Sequence, residues 1–208
     1  PYTRIKRSLD IVVGNLERDE NKSEHLQEDK AIALDLKQAG LKYLEEMKRA
    51  GIPMGLLRVG TSAKNAGYDV HILDAVFEGW NSEIKYFENS DGSEMFRYGL
   101  SNHQIAERIK SFKPHVAGIT IDYTHQWGNA RELADLVKTI DEKTVVVMGG
   151  SHASGLPADV LLDSPTDYVV LRQSDFTFPE LLDAVSGRIA RPMESVQGIA
   201  FRKNGELI

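Results

Sequence analysis

Residues 143–157 read KTVVVMGGSHASGLP, a β-branched run that stops abruptly at two adjacent glycines. A short continuous apolar run bounded by turn residues is the pattern of a strand buried on both faces. Gly149 and Gly150 then let the backbone turn sharply and pass close to whatever lies above the sheet edge. In an open α/β sheet that edge is where ligands sit. Taken alone, the glycine pair is equally a strand-to-loop turn that needs glycine only for its φ angles.

Working outward, similar junctions recur. Residues 9–13, LDIVV, form a first strand candidate ending at Gly14 and Asn15. Residues 69–75, DVHILDA, form a second, and residues 115–121, HVAGITI, a third. The organising stretch is the fourth, and residues 167–171, DYVVL, are the fifth. Helical periodicity fills the intervals at residues 31–50, 54–66, 102–112, 129–140, 158–162 and 178–185. Ser101 is placed to cap the third of these, and Gly67 to terminate the second. Residues 77–100 break the period and read as a long loop or small hairpin. Residues 198–208 read as a closing hairpin, because Asn204 and Gly205 separate two apolar runs.

Strand and helix alternating in this way predict an α/β fold: a doubly wound, mainly parallel five-stranded sheet of flavodoxin-like or Rossmann-like type, order 2-1-3-4-5, with a C-terminal hairpin. The expected organisation is a single domain over residues 1–208. Its N-terminal strand and helical segment span 1–52, its core 53–187, and an extension toward a further domain 188–208. The chain starts at Pro1 and stops at Ile208, and it reads as an excerpt of a longer polypeptide.

Composition narrows the function. The chain has 208 residues, 41% hydrophobic and 27% charged, with a net charge of −6. An acidic balance argues against nucleic acid as a partner. No apolar run approaches the length of a membrane span and no charged-then-apolar leader opens the chain, so a cytoplasmic location without a membrane partner is expected. Cysteine is absent. These residues therefore provide no disulfide, thiolate zinc site or cysteine-ligated cluster.

In the predicted strand order, residues 14–15, 120–125, 149–154 and 172–175 share one rim. Glycines and small hydroxyl residues there make a broad surface for a bulky cofactor. Asp122, Tyr123, Thr124, His125 and Gln126 form a polar group suited to a hydrogen-bonding ligand, or equally to helix capping and loop solvation. The P-loop and the G-x-G-x-x-G pattern after the first strand are missing. His125 and His152 lack the carboxylate or cysteine that would complete a metal site, and none is assigned. His71 falls within the second predicted strand and reads as a packed histidine. No nucleophile elbow or receiver-type acidic pair is present, and no residue is assigned a catalytic role.

Five blocks, PMGLLRVGTSAKNAGYDVHILDA (53–75), IAERIKSFKPHVAGIT (105–120), ARELADLVK (130–138), VVVMGGSHASGLPADVL (145–161) and DYVVLRQSDFTFPELL (167–182), run in the order found in one family. The chain resembles the N-terminal cobalamin-binding domain of B12-dependent radical SAM enzymes. The resemblance implies a corrin ring over the carboxyl rim and a nucleotide tail descending near Gly149, Gly150, Ser151 and His152. It places Thr120, Asp122, Tyr123 and Thr124 beside the tail, Arg172 and Gln173 on its far side, and Gly14 and Asn15 at the end of strand one. The D-x-H-x-x-G pattern that supplies a cobalt-ligating histidine is not present after that strand. The lower cobalt face is then open, watered or covered by another side chain, Arg58 near Met54 being the candidate. Where the family usually carries a Gly-Glu-Gly-Glu-like turn, this chain has Arg172, Gln173, Ser174 and Asp175.

The resemblance further implies a downstream radical SAM domain that carries a [4Fe–4S] cluster and S-adenosylmethionine, with methyl transfer or a related radical reaction performed by the whole protein. The alternatives are the same fold without bound cobalamin, acting as a docking or regulatory domain, and a small flavodoxin-like enzyme with another cofactor.

Overall fold

Helix α1 (Met54–Asn65) opens the well-described part of the chain. The computed structural model describes residues 34, 35, 38, 52–88, 90 and 94–208. These fall into two compact units, one holding residues 75–99 and the other residues 52–74 and 100–208. The predicted strand at 9–13 lies outside the described residues. Within the predicted helix at 31–50, residues 34, 35 and 38 are described and are helical.

α1 closes as its sequence indicates, with Gly67 at φ 88° just beyond the last turn, a conformation that favours glycine. The predicted strand at 69–75 does not form: residues 68–74 carry no regular structure, and helix α2 (Ala75–Glu78) follows. Strand character is realised by pairing with a neighbour, and here the side chains are used for packing instead. The His71 ring lies 3.8 Å from that of Phe112, and Ile72 lies against Gly60 of α1.

In the smaller unit, α2 leads into an antiparallel hairpin of β1 (Glu83–Glu88) and β2 (Glu94–Tyr98), the small hairpin expected of residues 77–100. Gly99, at φ 127°, ends it where a Cβ would come within 2.8 Å of the Ala75 carbonyl oxygen.

In the larger unit, α3 (Asn102–Phe112) begins with a capping box. The Gln104 amide donates to Ser101 Oγ at 3.2 Å, and the Ser101 amide donates to Gln104 Oε1 at 2.9 Å. Then follow β3 (Val116–Thr120), α4 (Trp127–Ile140), β4 (Val145–Gly149), α5 (Ser151–Gly155), α6 (Pro157–Asp163), β5 (Tyr168–Val170), α7 (Thr177–Val185), β6 (Ile199–Lys203) and β7 (Glu206–Leu207). β3, β4 and β5 are neighbours in a parallel arrangement, and β6 and β7 extend the sheet antiparallel, giving a five-stranded order β3-β4-β5-β6-β7. The 3-4-5 run of the predicted order is therefore present. Its second strand is not, its first lies outside the described residues, and the closing hairpin extends the sheet at the opposite edge, beside β5. That hairpin turns at Asn204 (φ 52°) and Gly205 (φ 87°), the positive pair a two-residue turn requires.

β4 shows why helices cover both faces. Alternate side chains point to opposite sides of a strand. Val146 and Met148 join Ala130, Ala134 and Val137 of α4 and Val160 and Leu161 of α6 in one core. Val147 joins Leu181 of α7 in the other, with Phe178 and Val185 packed against it. α1 packs on α7 on that second side. The architecture is α/β and Rossmann-like, and no helix among the described residues is long and apolar enough to cross a membrane.

Met148 is fully buried, and Met148→Ala is expected to cost about 2–5 kcal/mol, read as a lower urea midpoint. Tyr168 gives a pH signature. Burial, and then the Asp167 carboxylate, push its phenol above the ordinary 10.0. Its contribution is intact below pH 10 and is lost as pH rises through the raised folded-state value, because the unfolded chain ionises first. The alkaline fall in thermal midpoint is expected to be shallower in Tyr168→Phe.

Candidate cofactor-binding site

The carboxyl ends of β3 and β4 remain stitched beyond the strands themselves. The Ile121 amide donates to the Gly149 carbonyl at 2.8 Å, and the Ile121 carbonyl accepts from the His152 amide at 3.0 Å. Between these bonds the chain reverses at Gly150, with φ 102° and ψ 179°, a region open essentially to glycine alone. A Cβ there would lie 2.4 Å from the Ile121 carbonyl oxygen and 2.9 Å from Asp122 Oδ1. Gly149 needs no such conformation. Its missing side chain leaves space, with the Val170 carbonyl oxygen the nearest atom at 3.8 Å.

β5 is tied into the same rim. Arg172 is left-handed at φ 58°, and its amide donates to Ser154 Oγ at 2.8 Å. The Gln126 side chain holds the turn after β3, its Oε1 accepting from the amides of Asp122 (3.0 Å) and Tyr123 (3.1 Å). Arg58 of α1 pairs with Asp175, and Ser62 donates to the Asp175 carbonyl, fastening the helix to the turn after β5.

Beneath this rim, between α1, α7 and the sheet, lies a cavity of about 1440 Å³. Its walls include Leu56, Val59, Gly60 and Ala63 of α1, alternate residues of β3 and β4, and Phe178, Leu182 and Val185 of α7. Ordinary small-molecule pockets run to about 300–1,000 Å³, so this one suits a large ligand. Apolar walls under a polar rim suit one with a long appendage.

Of the residues singled out in the sequence, Arg58, Thr120, Asp122, Gly149, Gly150, Ser151, Arg172 and Gln173 are brought together around this cavity. Met54 lines a smaller cavity of about 450 Å³, bounded also by Arg58, Asp175 and Phe176. Tyr123 is 64% exposed and stacks on His125 at 5.6 Å. His152 is buried, its ring 5.8 Å from Trp127 and its Nδ1 3.3 Å from Thr124 Oγ1. Those three, Tyr123, Thr124 and His152, are not among the residues lining the large cavity. Gly14 and Asn15 lie outside the described residues. Among the described residues no three His, Cys, Asp or Glu side chains gather as a metal site. Ser154 falls inside the predicted rim span 149–154 but is not singled out by sequence reading as a site residue. Sequence reading also missed Gly118 and Phe178, which carry no local motif.

A parallel sheet with a glycine-built rim over a deep, mostly apolar cavity defines a cofactor-binding module. Residues 32–182 match the model of the B12 binding domain, and the chain belongs to that family. It is 31% identical over 161 residues to cytidylyl-2-hydroxyethylphosphonate methyltransferase of Streptomyces wedmorensis, covering 77% of this chain and 29% of that protein. It is 30% identical over 104 residues to the anaerobic magnesium-protoporphyrin IX monomethyl ester cyclase of Rubrivivax gelatinosus, covering 49% and 19%. Its fold matches the radical S-adenosylmethionine methyltransferase TsrM of Kitasatospora setae, solved with cobalamin and a [4Fe–4S] cluster bound. The TM-score there is 0.58 at 17% identity, over 76% of this chain and 28% of that one. The chain thus spans under a third of the length of these relatives.

Gly150→Ala is expected to destabilise the protein by at least about 1–3 kcal/mol from backbone strain alone, with the contact at Ile121 adding to it. Gly149→Ala is expected to leave the chemical-denaturation midpoint nearly unchanged.

Proposed function

We propose that this chain is the cobalamin-holding module of a larger radical S-adenosylmethionine enzyme that transfers methyl groups. The observation that carries the reading is the cavity, which opens under the rim where β3, β4 and β5 end and has Gly118, Gly149 and Gly150 among its lining residues. The residues present fit such a ligand: a polar edge for a corrin's amide-bearing periphery, and an apolar recess for a heterocyclic tail. Arg172 and Gln173 stand on the cavity wall and leave it open, which favours a ligand-binding module over the same fold serving only as a docking surface.

In this reading Gly149, Gly150 and Ser151 flank the tail from the β4 side, and Thr120 and Asp122 flank it from the β3 side. Arg172 and Gln173 close the far side. Tyr123, Thr124 and His152 shape the upper turn. Met54 and Arg58 cover the edge beside α1. Bound cobalamin supplies a cobalt centre that carries a methyl group. This chain's residues bind it, orient it and shield its tail from water. The [4Fe–4S] cluster and S-adenosylmethionine belong to a downstream domain of the same protein, and the assembly works in the cytoplasm.

Purified protein mixed with hydroxocobalamin is expected to retain the corrinoid through gel filtration, near one equivalent, with a shifted absorption spectrum. Gly149→Leu, which fills the space beneath the rim, is expected to weaken retention about tenfold or more. Absence of uptake by the unmodified protein at high micromolar cobalamin would overturn the proposal.

A further inference from the structure

We infer that His152 is a positioning residue: through Thr124 it holds the turn after β3, and with it the stacked pair Tyr123 and His125, as a preformed contact for the ligand at the rim. The inference rests on the cobalamin reading above and concerns which residue sets that contact. His152 stands in the first turn of α5 and is 9% exposed. An apolar ring would pack beside Trp127, whose ring is 5.8 Å away, as well as an imidazole does. Burying a polar group costs stability unless it is bonded. Here the bond goes to the exposed turn, with Nδ1 3.3 Å from Thr124 Oγ1. The threonine hydroxyl serves as donor or acceptor to suit the imidazole tautomer.

Two side chains hold residues 122–126 in different ways. Gln126 fixes their shape from within, its Oε1 accepting from the amides of Asp122 and Tyr123. His152 fixes their place against the neighbouring strand end. Its amide donates to the Ile121 carbonyl, and its ring reaches Thr124. Among the described residues, that ring contact is the one side-chain hydrogen bond between this turn and the segment after β4.

The turn presents an aromatic face. Tyr123 and His125 stack at 15° with ring centroids 5.6 Å apart, and both residues are exposed. The preceding residue, Asp122, lines the large cavity, so the pair stands beside its mouth. Rings kept in water on a fastened turn are suited to act as a binding anchor, because they offer a large contact area at little further cost in ordering. In the cobalamin reading the group that meets them is the corrin macrocycle, which overhangs the cavity, and not the tail, which enters it.

The test titrates the protein and its variants with hydroxocobalamin and with tailless cobinamide, reading affinity from absorbance and stability from the urea midpoint. His152→Phe is expected to weaken both corrinoids by the same factor, about fivefold, the worth of one neutral hydrogen bond. Its urea midpoint is expected to stay close to that of the unmodified protein. The conservative variants separate positioning from packing. Asparagine carries a polar atom where Nδ1 stood and glutamine carries one where Nε2 stood, so His152→Asn is expected to hold within about twofold of the unmodified protein while His152→Gln falls with His152→Phe. Thr124→Val is expected to lose as much as His152→Phe, and the double variant no more than either, as two partners in one contact require. Unchanged affinity in His152→Phe or Thr124→Val, or rescue by glutamine and not by asparagine, overturns this inference and leaves the proposed function standing. A loss confined to cobalamin, with cobinamide binding unaltered or absent, does the same. Failure of the unmodified protein to bind either corrinoid overturns the proposed function and this inference with it. Should His152→Phe fail to fold, Thr124→Val, at an exposed position, decides the matter alone.

Discussion

The rim depends on how closely the turn after β4 passes the end of β3. Ile121 both donates to Gly149 and accepts from His152, so the two chain segments are joined on either side of Gly150. No side chain fits at that position, because the Ile121 carbonyl occupies the place of a Cβ. The pairing in turn fixes where α5 begins, and with it the Ser154 hydroxyl that accepts from the left-handed Arg172. Three strand ends are thus held in one rim by two backbone bonds and one bond to a serine hydroxyl.

The cavity follows from the two-sided sheet. On one face Val146 and Met148 are sealed under α4 and α6. On the other, Val147, Val170 and Leu181 form a smaller core around α7, and the sheet beside it is bare where Gly118 and Gly149 offer no side chains. A protein interior is packed about as densely as an organic crystal. A volume of about 1440 Å³ is therefore far more than ordinary packing defects leave. The chain belongs to the B12 binding domain family, and the space is large enough for a ligand the size of cobalamin.

Much of the architecture was legible in local pattern. The capping box at Ser101, the Gly67 helix stop, the paired turn residues Asn204 and Gly205 and the β-branched run at β4 each state their conformation within a few residues. Residues 69–75 show the opposite case. Their alternation is that of a strand, yet Ile72 packs on Gly60 and His71 on Phe112. Alternation reports only which side chains seek cover, and pairing depends on where a neighbouring strand runs.

By itself the sequence determined the α/β class, the bounds of α3, the stop of α1 at Gly67, the strands β3 to β5 with the closing hairpin, and the turn at Gly149 and Gly150, because caps, turns and periodicity act over one or two helical turns. Only the tertiary structure decided which rim residues share a wall. It turned His152 toward Trp127 and Thr124, drew Arg58 to Asp175, and set Gly118 opposite Phe178. Those contacts join residues far apart in the chain, and their distances follow from how helices seat on the sheet, which no local pattern encodes.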